Sequence, residues 1–157
     1  MSIRSHYQTH IDVITESIPS GFNPSIDEFV DLLLNCKGKI FFTGVGKNGH
    51  VAAKATSTFS SIGVSCFFID PVDSVHGDMG VINEEDILIA VSKSGNTEEL
   101  IHFLKHVKYK KCKIISIHSN PGNKSLKYSS LDINLNVRKE ADHLNIVPTC
   151  SIAVFTV

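Results

Sequence analysis

At 157 residues the chain has the length of one compact domain able to bury a real core. Apolar residues make up 42% and charged residues 20%, with a formal net charge of −1. No blanket attraction therefore draws it to nucleic acid or to an anionic membrane, and any phosphate must be held by a local site.

No stretch approaches the run of about 20 apolar residues needed to span a bilayer. The opening MSIRSHYQTHIDVI has no signal-peptide core. Cys36, Cys66, Cys112 and Cys150 are scattered, with no CxxC pair or metal-like spacing. Free cysteines beside apolar segments behave as small hydrophobes, and a reducing, cytoplasmic location is expected.

In chain order, Ile11, Ile14 and Ile18 mark a first helix that Pro19, Ser20 and Gly21 break. Ser25 and Glu28 form a capping box for a second helix, with Ile26, Phe29, Val30, Leu33 and Leu34 on its apolar face. From residue 38 short apolar runs alternate with helical patterns. Strands are expected at 39–44, 65–69, 86–91, 112–117 and 131–137. Helices are expected at 47–61 and 96–109, with a short one near 123–129. Lys108-Tyr109-Lys110-Lys111 reads as the polar end of a helix.

Runs that are apolar throughout indicate strands buried on both faces, and regular strand–helix alternation indicates a parallel sheet between helical layers. We expect a single domain, with N-terminal helices over 1–37 and the sheet core over 38–157. A last apolar segment from Thr149 begins like a helix and has no cap at Val157, so the natural chain is expected to continue.

Ligands of an open parallel sheet bind beyond the carboxyl ends of its strands. Four loops lie there: TGVGKNGH, SVHGD, SKSGNTEE and VRKEAD. In the third, Ser92, Ser94 and Thr97 supply hydroxyls and Gly95 allows a tight turn before a helix. Hydroxyls and free N–H groups there make a phosphate cradle, or Ser94 or Asn96 simply caps the helix. The first loop, with Gly46 and Lys47, matches neither GxxxxGK[ST] nor GxGxxG, which disfavours a nucleotide site. Lys47 is a catalytic ammonium, a phosphate clamp or a solvated side chain. His76, in a polar turn, suits proton transfer near neutral pH or caps the turn. His102 and His106 have no third ligand beside them, so no metal site is expected. Glu98 and Glu99 fall in the first turn of a helix, where its dipole favours them. Glu140 follows a strand, a better place for an active carboxylate.

Four segments, GVGKNGHVAAKATSTFSSIG, HGDMGVI, SKSGNTEEL and EADHLNIVPTCS, together resemble the sugar isomerase (SIS) domains of arabinose 5-phosphate isomerases, over about residues 38–157. That resemblance implies a flavodoxin-like, three-layer α-β-α sandwich around a five-stranded parallel sheet, commonly a homo-tetramer with sites shared between subunits. It implies interconversion of D-ribulose 5-phosphate and D-arabinose 5-phosphate, feeding Kdo synthesis for lipopolysaccharide or capsule, with no metal or organic cofactor. Lys47, Glu99, Glu140 and His76 fall on positions implied to be catalytic. Gly46, Ser92, Ser94, Gly95, Asn96, Thr97, Thr149 and Ser151 fall on substrate- or phosphate-binding positions.

The chain departs from the family pattern at Asn48, at Lys93 (usually Asn), and at Asp142, His143, Asn145, Cys150 and Ile152. These changes border the substrate and bear on which sugar is taken. The family's HPGG histidine would lie past Val157. A non-catalytic phosphosugar-binding module and an isomerase of another phosphosugar are the competing readings.

Overall fold

The computed structural model describes residues 3–17, 24–142 and 144–156. The expected break at Ile18 to Gly21 lies outside the described residues, as do His143 and Val157. In chain order the elements are α1 (Ile3–Ser17), α2 (Pro24–Leu34), β1 (Ile40–Thr43), α3 (Lys47–Ser61), β2 (Cys66–Phe68), β3 (Ile87–Val91), α4 (Glu98–Val107), β4 (Lys113–His118), β5 (Leu131–Asn134) and α5 (Cys150–Thr156). No described helix is long and apolar enough to cross a membrane.

The five strands pair in the order β2-β1-β3-β4-β5, every neighbour parallel. Ile40, Phe42, Ile87, Ile89, Val91 and Ile115 face one side, where α2, α3 and α5 pack. Phe41, Leu88, Ala90 and Ile114 face the other, against Leu100, Phe103, Leu104 and Val107 of α4. The three layers follow from this alternation, because β1 and β3 lie between neighbours and are buried along their whole length.

Tertiary packing overrides local pattern at several places. Strand β2 is apolar but sits at an edge, so Phe67 and Phe68 are 47% and 38% exposed rather than buried on both faces. Helix α2 opens at Pro24, whose fixed φ and missing N–H suit a first helical position, so Ser25 lies inside the first turn and not before it. Its packed face runs through Ile26, Phe29, Leu32 and Leu33, leaving Val30 and Leu34 exposed. In α1 the buried residue is Val13, packed with α5, while Ile11 faces out. The segment near 123–129 is a 3-10 turn, Lys124–Lys127, and β5 ends at Asn134. The lysine run at 108–111 does close a helix, as a 3-10 turn ending in left-handed Lys111.

The amino end of the sheet is held by a buried charge. Asp86, 2% exposed, accepts the amides of Lys39 and Asn83, each at 2.7 Å, and the Lys39 ammonium at 3.3 Å. It thereby ties the entry of β1 to the entry of β3.

Candidate active site

Strand order reverses between β1 and β3, so the loops leaving these strands diverge and open a crevice at the carboxyl edge of the sheet. The β3 loop folds on itself. Ser92, buried, accepts the Gly95 amide at 3.2 Å and lies 3.3 Å from the Thr97 hydroxyl. Ser94 accepts the Asn96 amide at 3.1 Å. Gly95 has φ +61, and a Cβ there would fall 2.2 Å from the Asn123 side chain, so only glycine fits. The N-cap of α4 is Thr97, not Ser94 or Asn96, and its side chain makes no capping bond.

A second layer braces this loop from the segment after β4. Ser119 donates its amide to the Lys93 carbonyl, and Asn120 donates its side-chain amide to the Ser94 carbonyl. Asn96 accepts the Lys124 amide at 2.8 Å. The carbonyls of Lys93 and Ser94 are thus occupied. Asn120 and Asn123 were not singled out by sequence reasoning; the Asn-Pro-Gly-Asn turn signature was the available signal.

Beyond β5, Glu140 gathers the densest polar contacts at this end. Its side chain is 1% exposed, and one oxygen, Oε1, accepts the Lys93 ammonium at 2.6 Å and the Ser151 hydroxyl. The other, Oε2, accepts the Thr149 amide at 2.8 Å, the Thr149 hydroxyl at 3.2 Å and the Ser151 amide at 3.0 Å. Burial alone would raise this carboxyl's pKa. Hydrogen bonds from Lys93, Ser151 and the Thr149 and Ser151 amides outweigh it and hold the value down at about 2. Glu140 is therefore ionised at any physiological pH. For the adjacent thiol of Cys150 burial prevails and pushes the pKa up.

The other expected site residues are less engaged. Lys47 is exposed at the start of α3, just after Gly46 at φ +59, and borders a cleft shared with His50, Lys54, Pro148 and Ile152. This brings it alongside the Pro148-Thr149 segment. Glu99 is exposed in the first turn of α4. His76 is exposed at the end of a 3-10 turn, Asp73–His76, that lies against α4. No hydrogen bond or ion pair among the described residues joins Lys47, Glu99 or His76 to Glu140. What the fold does unite is Lys93, Glu140, Thr149 and Ser151.

Residues 33–157 match the family described as SIS domain. The chain belongs to the SIS domain family. An arabinose 5-phosphate isomerase of Francisella tularensis is 33% identical over 96% of this chain and 49% of its own length. One from Pseudomonas aeruginosa is 38% identical over 82% of this chain and 40% of its own length. The chain thus spans half or less of these curated relatives. Among solved structures, an E. coli CFT073 protein in complex with arabinose 5-phosphate is 31% identical, superposes with a TM-score of 0.91 and is covered over 81% of its chain.

Two of the departures from the SIS-domain pattern, Asn145 and Asp142, have local explanations. Asn145 adopts φ +56, a conformation that asparagine tolerates better than most residues, and its side-chain oxygen accepts the Glu140 amide at 2.6 Å. Asp142 accepts the amides of Leu144, Ile146 and Val147 at 2.9–3.0 Å. Both residues order the loop that carries Glu140.

Proposed function

We propose that this chain is an aldose–ketose isomerase interconverting D-ribulose 5-phosphate and D-arabinose 5-phosphate through a cis-enediol, in supply of Kdo for lipopolysaccharide or capsule. The observation that carries the reading is the hydroxyl-rich β3 loop beside a buried, ionised Glu140 at the carboxyl edge of one sheet. The relatives' names and the arabinose 5-phosphate complex of the E. coli protein support it.

In this scheme Ser92, Ser94, Thr97 and the first-turn amides of α4 hold the phosphate, where the helix dipole favours an anion. Gly46 and Asn96 border it. Lys47 binds sugar oxygens or offsets charge that develops on them. Proton abstraction beside the carbonyl needs a base with a free lone pair. Glu140 accepts five donors, more than the roughly four sites a carboxylate offers. Glu99 is the better base, with His76 as an acid reaching the site in a homo-tetramer. Sedimentation showing a monomer at working concentration would remove that role for His76.

A second reading, a non-catalytic phosphosugar-binding module, is favoured by the same saturation of Glu140. An assay of ketose formation from D-arabinose 5-phosphate, beside other pentose and hexose phosphates, separates the two. Turnover of one substrate supports the isomerase and fixes its sugar; tight binding of all with turnover of none supports the module.

A further inference from the structure

Lys93 is a polar side chain at the carboxyl edge that the isomerase scheme leaves without a task. It stands between Ser92 and Ser94, yet its side chain leaves the β3 loop to reach Glu140, next to Thr149 and Ser151. Its backbone is fixed by the Ser119 amide on its carbonyl. The ammonium is thus positioned from both ends.

The two partners differ in what they have left to give. Glu140 is 1% exposed and both its oxygens are filled. Lys93 is 33% exposed along its side chain, and an ammonium has three N–H donors, of which Glu140 takes one. A carboxylate with no spare lone pair is a holder; a cation with spare donors at a solvent-facing edge is a contact. The ammonium is bonded to Glu140, beyond β5, whereas the hydroxyls of Ser92 and Thr97 lie 3.3 Å from each other in the β3 loop. A cation placed there meets the sugar end of a substrate whose phosphate sits in the β3 loop.

We propose that Lys93 is a substrate-contacting cation of this chain, held by Glu140 as its positioning residue, that donates to the C1–C2 oxygens of the open-chain sugar and stabilises the enediolate. No bond is made or broken at Lys93. It supplies preorganised positive charge where negative charge develops. The inference rests on the isomerase reading.

The test uses two probes with the whole chain, by calorimetry: 5-phospho-D-arabinonate, whose carboxylate mimics the enediolate charge, and inorganic phosphate. Lys93→Met and Lys93→Asn are expected to weaken the aldonate about 10- to 100-fold, the range of a lost charge-assisted hydrogen bond, with phosphate affinity changed less than about twofold. With D-arabinose 5-phosphate, kcat should fall more than KM rises. Because Lys93→Met leaves Glu140 buried without its partner, the double variant Lys93→Met/Glu140→Gln repeats the comparison with no unpartnered charge at this position. Equal weakening of both probes would overturn the proposal in favour of a phosphate anchor, and unchanged aldonate binding in Lys93→Asn would overturn it outright. A wild-type chain that forms no ketose sinks the isomerase reading separately, since the aldonate comparison is a binding measurement.

Discussion

Two carboxylates sit at opposite ends of the same sheet, and each is buried beside a lysine that is one-third exposed. At the amino end Asp86 takes amides from residues 39 and 83, and its ammonium partner stands off at 3.3 Å. Its contacts go to the backbone that enters β1 and β3. At the carboxyl end Glu140 has its lysine at 2.6 Å and takes hydroxyls and amides from the segment running into α5. The first pair clamps strands where no ligand is expected; the second fixes a cation at the edge where parallel sheets bind ligands. Similar burial serves stability in one case and placement of charge in the other. The ligand environment, not the ion pair itself, separates them.

Substitutions should split the pairs along that line. Glu140→Gln is expected to cost at least about 100-fold in turnover, because it releases Lys93 and the Thr149 and Ser151 groups from their set positions. Steady-state kinetics on D-arabinose 5-phosphate would show it. Asp86→Ala should leave turnover per folded molecule unchanged while costing about 2 kcal/mol of stability, since two part-buried amides lose their acceptor. Urea titration of the two variants, side by side, reads the difference.

Acid should also act through Glu140. Its pKa falls from 4.5 to about 2 on folding, so its contribution to stability is complete above 4.5 and is lost as pH falls through about 2. Wild-type stability should therefore decline across that interval more steeply than that of Glu140→Gln; parallel curves would remove the coupling. The smallest effect belongs to Lys39→Met, at about 1 kcal/mol or less, because a pair that is partly solvated is worth little. Thermal melts suffice to measure it.

Much of this arrangement was legible in the sequence. The strand runs, the last one shorter than expected, the loops at their carboxyl ends and the tight turn at Gly95 follow from local patterns and are present in the structure. Local patterns failed where a neighbour decided the outcome. Whether Phe67 is covered depends on β2 lying at the edge, and whether Val30 or Leu32 packs inward depends on how α2 meets the sheet. The Lys93–Glu140 pair was least legible. Those residues come together only because β4 and β5 complete the sheet and the chain then folds back past Thr149. Lys93 could be noticed as a departure from the family pattern, but its partner could not be read from spacing.

The isomerase reading is tested most directly by NMR of D-arabinose 5-phosphate incubated with this chain in D₂O, following the proton at C2. The account predicts deuterium replacing the C2 proton of the aldose together with formation of D-ribulose 5-phosphate, since the aldose gives that proton, as the enediol forms, to a base that exchanges with solvent. Saturating binding with the C2 proton intact and no ketose formed would contradict it and leave a phosphosugar-binding module.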